Sequence, residues 1–111
     1  MKILSRADEI LLVSILSLGE NAYGVTIIEE VYRRTGKKLT FGSLWVSLDI
    51  LYKKGYIDKR LGAPTPQRGG RSKIYYTLKP EGMKALKEIS EFQKSLWDGV
   101  SNHLKKAVPS K

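Results

Sequence analysis

Between Arg33 and Lys73 the chain carries eleven basic residues, Arg33, Arg34, Lys37, Lys38, Lys53, Lys54, Lys59, Arg60, Arg68, Arg71 and Lys73, against two acids, Asp49 and Asp58. The rest of the chain holds nine basic and nine acidic side chains, so the whole formal charge of +9 belongs to that middle third. Cations gathered in this way attract a polyanion, because each phosphate they neutralise releases condensed counterions. The competing reading is a solvated basic face without a partner. Covalent and metal chemistry find no support in these 111 residues: cysteine is absent and histidine occurs once, as His103. No nucleophile stands with a base and an orienting partner, and no glycine-rich phosphate loop precedes a helix. We expect neither an enzyme nor a cofactor.

The residues able to read a duplex lie around one helical stripe. In FGSLWVSLDILYKKG, Leu44, Leu48 and Leu51 recur at i, i+4 and i+7 and mark a core side, which leaves Gly42, Ser43, Val46, Asp49, Ile50 and Lys53 opposite. A recognition helix contacts bases mainly through its N-terminal part, so Thr40, Gly42, Ser43, Trp45, Val46 and Ser47 are the candidates there. Hydroxyls donate to a base or a phosphate, Val46 can meet a thymine methyl, and Gly42 lets the helix start approach the backbone. Thr40 and Ser43 serve equally as plain helix caps, and Trp45, at the edge of the stripe, equally as partial core. Tyr23 either donates to a phosphate or packs. Lys53, Lys54, Lys59 and Arg60 add diffuse attraction, whereas Arg68, Arg71 and Lys73, in a loop with Gly69 and Gly70, suit phosphate or minor-groove contact.

These candidates must be held in place by a scaffold whose order is legible. Ser5 caps RADEILLVSILSL, with Ile10, Leu11, Ile15 and Leu18 on its apolar face and Gly19 at its end. AYGVTIIEEVYRRTG sets Val25, Ile28, Val31 and Tyr32 on one side and closes with two arginines and a glycine, as helix C-termini do. After the link KKLT comes the reading helix, stopped by Gly55. The period then falls to two: Ile57 and Leu61 point inward in YIDKRL, and Ile74, Tyr76 and Leu78 do so in KIYYTL, making a hairpin with a long tip. Pro80 at a first helical position opens a last helix running to about Lys106. The chain thus reads as mainly α with a two-stranded β-hairpin, the order of a winged helix-turn-helix, followed by a long C-terminal helix.

That last helix aligns Ala85, Leu86, Ile89, Phe92, Leu96, Trp97, Val100 and Leu104 in one stripe. Continuous from Pro80 to Lys106 it spans about 40 Å, longer than a small domain can cover, and a second copy of the chain is the simplest cover. We therefore expect one compact body in which residues 1–79 bind double-stranded DNA and 80–108 form a homodimer through Leu86, Ile89, Phe92, Leu96, Trp97, Val100 and Leu104. No apolar run reaches the roughly 18 residues of a membrane span. The stretch Ile10 to Leu18 follows two acids and lacks a cleavage site, so we read it as core and expect no membrane partner and a cytoplasmic protein.

The segments YGVTI, FGSLWVSLDILYKKGYI and GGRSKIYYTLKPEG, in this order and spacing over roughly residues 8 to 86, resemble the PadR family of bacterial and archaeal transcription regulators. The resemblance implies a homodimeric winged-helix repressor that dimerises through its C-terminal helix and, in some members, binds an aromatic or drug-like effector. It implies for Trp97 a place beside a small aromatic ligand at the dimer interface, with interface packing as the alternative. Trp45 and Val46 stand where the family usually has Tyr-Pro, so an operator cannot be carried over. Lys79 stands where a threonine usually caps the last helix, a loss of about 1 kcal/mol if nothing replaces it. The rival function is a winged helix that binds protein or RNA without reading DNA sequence.

Overall fold

The computed structural model describes residues 3–62 and 73–107. Helix α1 (Arg6–Leu18) leads through a 3-10 turn (Gly19–Asn21) into α2 (Gly24–Thr35) and α3 (Phe41–Lys53). Strands β1 (Ile57–Leu61) and β2 (Ile74–Leu78) follow, then α4 (Pro80–Leu96) and α5 (Ser101–Ala107). The fold is mainly helical with one antiparallel hairpin, the winged-helix order expected from the periodicities. Local chemistry sets the helix starts: the Ser5 hydroxyl accepts from the Asp8 N–H at 3.1 Å, and the Thr40 hydroxyl accepts from the Ser43 N–H at 3.1 Å. Lys79 makes no side-chain cap, but its N–H donates to the Tyr56 carbonyl at 2.9 Å.

Helix α1 is the hub, packing on α2, β2 and α4. Its central position explains a difference from the amphipathic expectation: the buried residues are Leu11, Leu12, Ser14 and Ile15, while Ile10 and Leu18 are only half-buried. A helix contacted from several sides has no single apolar face, and Ser14 satisfies itself by donating to the Ile10 carbonyl at 2.8 Å. On α2 the buried pair is Ile27 and Val31, with Val25 and Ile28 half-buried and Tyr32 exposed, so the apolar face lies about one residue round from the predicted one. The α3 stripe of Leu44, Leu48 and Leu51 is buried as read. With Ile57, Tyr76, Leu86 and Ile89 these side chains close one core, each fully buried large apolar group being worth about 1.5–3 kcal/mol.

Two further expectations are corrected. Leu61, read as inward-facing, is 73% exposed, because only the first residue of β1 is buried and the rest of that strand runs out past the helices. The continuous helix to about Lys106 is instead two helices: α4 ends at Leu96, the Trp97 N–H donates back to the Gln93 carbonyl, and Gly99 takes φ 75° before α5 begins. That conformation is cheap only for a residue without a Cβ, so Asp98-Gly99 is a helix terminator hidden inside an unbroken apolar periodicity.

Candidate nucleic-acid interface

With its leucine stripe in the core, α3 turns Gly42, Ser43, Val46, Asp49, Ile50 and Lys53 outward, and all six are exposed. Thr40 and Ser43 spend hydroxyl capacity on each other at the cap: Ser43 Oγ lies 3.2 Å from both Thr40 Oγ1 and the Thr40 carbonyl oxygen. Both stay exposed, with acceptor capacity left over. A Cβ at Gly42 would meet nothing within 4 Å, so nothing inside the protomer demands glycine there. Ser47 is half-buried. Trp45 is half-exposed and, with Phe41, Tyr23, Gly24, Lys73 and Ile74, lines a cleft of about 240 Å³ between the starts of α2 and α3 and the wing. The cleft joins α3 to the wing.

The wing is held on both edges of β2. On one side β1 pairs from Ile57 with Leu78 to Leu61 with Ile74; on the other the Tyr76 N–H donates to the Ala22 carbonyl at 2.8 Å, and Tyr23 bridges to Tyr75. Tyr23 and Tyr75 meet edge to face with ring centroids 5.4 Å apart. Lys73 Nζ lies 4.2 Å above the Tyr23 ring, and the Arg60 guanidinium 4.7 Å above that of Tyr75. On the opposite face of the hairpin Lys59 Nζ lies 4.3 Å above the Tyr52 ring of α3. Each ring orders a cation without neutralising it, which leaves the charge available to a phosphate. Tyr23 is thus both a packing residue and the seat of Lys73; Arg60, expected to add only diffuse attraction, is ordered by Tyr75, a residue the sequence did not single out. The signal is the cross-strand pairing of Arg60 with Tyr75, which depends on a register set across the tip. Arg68 and Arg71 lie outside the described residues.

Other cations of the basic third are already paired. Glu30 accepts from Arg33 Nη2 and Arg34 Nε at 2.7 Å each and from the Ser17 hydroxyl at 2.8 Å. Arg33 above all, then Ser17 and Arg34, holds the Glu30 carboxyl down from 4.5 to about 2. Lys53 Nζ lies 2.9 Å from Asp49, and Lys54 Nζ lies 3.7 Å from Asp8 of α1. Two of these acids, Asp8 and Glu30, come from outside the segment that a linear charge count isolates. Among the described residues of that third, Lys37, Lys38, Lys59, Arg60 and Lys73 are in no ion pair.

The apolar C-terminal stripe divides in two. Leu86 and Ile89 are buried in the protomer's own core and Phe92 packs against it, while Leu96, Trp97, Val100 and Leu104 remain exposed. The tie between α4 and α1 includes a 3.2 Å hydrogen bond from Gln93 Nε2 to Glu9. Among the described residues no helix is long and apolar enough to cross a membrane, and no cluster of His, Asp and Glu has the makings of a metal site.

A family model described as the transcriptional regulator PadR-like family matches residues 12–88. No curated protein matches the chain significantly. Among solved structures the chain is similar to a PadR-like transcriptional regulator from Bacillus cereus, at 22% identity, 95% coverage of this chain, 93% of that one and a TM-score of 0.65. It is similar to a PadR family transcription regulator from Clostridium difficile at 25% identity, with 92% and 98% covered and a TM-score of 0.60. RosR of H. salinarum matches at 23% identity, with 94% and 86% covered and a TM-score of 0.68.

Proposed function

The chain belongs to the PadR-like family of transcriptional regulators, and from that membership we propose that it is a sequence-specific, homodimeric repressor of transcription. The family is one of regulators and not of enzymes. The observation that carries the DNA reading is the cleft that joins the outward side of α3 to Lys73 and Tyr23 at the wing, with Lys59 and Arg60 on the adjoining strand. Residues 1–79 bind the duplex: Ser43, Val46 and Ser47 enter the major groove, Thr40 and Gly42 face a phosphate, Trp45 and Tyr23 line the approach, and Lys73 with Arg68 and Arg71 follows the backbone. Lys53 contributes least, since Asp49 already neutralises it.

Residues 80–108 form the dimer contact through Leu96, Trp97, Val100 and Leu104, with Phe92 at its margin. Leu86 and Ile89 support it from the core beneath. Two copies present two reading helices to two half-sites, which favours a palindromic operator. A small aromatic effector beside Trp97 would act at that junction; quenching by planar aromatic compounds in the wild type and its loss in Trp97→Ala supports this, and equal quenching in both sinks it.

The test of the main reading is a mobility shift at fixed salt with three probes: a palindrome from the promoter region of the protein's own gene, a random duplex, and an RNA of equal length. Preference for the palindrome by about a thousandfold or more is expected, the low end of the range of about 10³–10⁷ typical of specific regulators. Equal affinity for all three makes the chain a general polyanion or protein-binding winged helix.

A further inference from the structure

Resting on the DNA-binding reading, we propose that α3 selects its operator through thymine methyl groups, with Val46 and Ile50 as the residues that sense them. Val46 is 62% exposed and Ile50 45% exposed, four residues apart on the side of α3 away from the Leu44, Leu48 and Leu51 core. Side chains at i and i+4 share a face and stand about 6 Å apart along the helix, close to two base-pair steps. Two branched apolar groups held in water on an otherwise polar face cost hydration free energy until something apolar covers them. The surrounding charge says what covers them: Lys59, over the Tyr52 ring of α3, and Lys73, which shares a cleft with Trp45, lie at the borders of this helix, and they favour a polyanion over a second basic copy of the chain. The apolar group that a polyanionic duplex offers in its major groove is the thymine methyl.

The inventory of α3 points the same way. Bidentate base recognition uses Arg, Lys, Asn or Gln, and of these α3 holds only Lys53, at its last position. The one lysine is tied to Asp49 at 2.9 Å, and Ser43 shares its hydroxyl with the Thr40 cap. A helix so poor in polar readers discriminates by shape and methyl contact. The expected operators place thymines two steps apart in each half-site.

The full chain is used to enrich binding sites from a library of random duplexes, and the best duplex is resynthesised with deoxyuridine replacing thymidine, first everywhere and then one position at a time. Deoxyuridine pairs identically and lacks only the methyl. We expect one or two positions per half-site at which its loss weakens wild-type binding by about fourfold, the value of one buried carbon. In Val46→Ala or Ile50→Ala the deoxyuridine penalty at one of those positions disappears, whatever the overall affinity of the variant. Binding of the fully substituted duplex within twofold of the original overturns the inference and leaves the regulator reading intact. A penalty that persists in both variants overturns the assignment to these residues, and failure to enrich any duplex sinks the regulator reading with it. If Val46→Asp changes the mass of the DNA-free protein in sedimentation, the face belongs to a second copy instead.

Discussion

Whether a cation acts on DNA depends on what already holds it. Lys54 faces Asp8 across the α1–α3 junction, whereas Arg60 and Lys73 lie over tyrosine rings that orient but do not neutralise them. Each free cation that contacts a phosphate releases about one counterion, so Arg60→Ala and Lys73→Ala should each flatten the plot of log affinity against log salt by about one unit per bound protomer. Lys54→Ala should leave that slope nearly unchanged. Titrations between low and physiological salt check this, and equal slopes for all three variants contradict it. The basic third looks uniform in the sequence and is divided by its partners in the fold.

The elements are joined by contacts with little room. Gly82, in the first turn of α4, sits so close to the turn before β1 that an added Cβ would collide with the Tyr56 carbonyl oxygen, the acceptor of the Lys79 N–H. Gly82→Ala should therefore destabilise the protein by about 1–3 kcal/mol despite the better helix propensity of alanine, read as a lowered denaturation midpoint. At the other end of the scaffold Glu30 gathers Arg33, Arg34 and Ser17, fastening the last turns of α2 to one another and to α1. Its folded-state pKa lies below the ordinary value, so its contribution is complete above about pH 4.5 and is lost as pH falls through about 2. Glu30→Gln should be less stable than wild type at pH 7, and the gap should narrow between pH 4.5 and 2. Urea midpoints measured along that range check the sign, and a gap independent of pH contradicts it.

For the whole molecule the decisive surface is the one that α4 cannot hide. Its first half is consumed by α1, and the break at Gly99 leaves Leu96, Trp97, Val100 and Leu104 clustered around a bend rather than strung along a rod. Leu96→Glu with Leu104→Glu should halve the sedimenting mass without altering the helical circular dichroism, since neither residue belongs to the protomer core. Operator affinity should fall steeply, because the two half-sites then bind as separate events. A double variant that remains dimeric places the contact elsewhere, on the open groove lined by Val13, Leu16 and Met83 between α1 and α4.

Read alone, the sequence already contained the element order as far as α4, the Ser5 and Thr40 caps, the α3 leucine stripe and the location of the excess charge, because caps and periodicities are encoded within a few residues of where they act. Leu61 was misread for the complementary reason: alternation says which residues share a face, not how far a neighbouring element extends over it. Tertiary structure alone brought Asp8 to Lys54, Tyr75 beneath Arg60 and α1 against Leu86 and Ile89. Those pairings join residues distant along the chain, and their partners are chosen by packing geometry, which no local pattern carries.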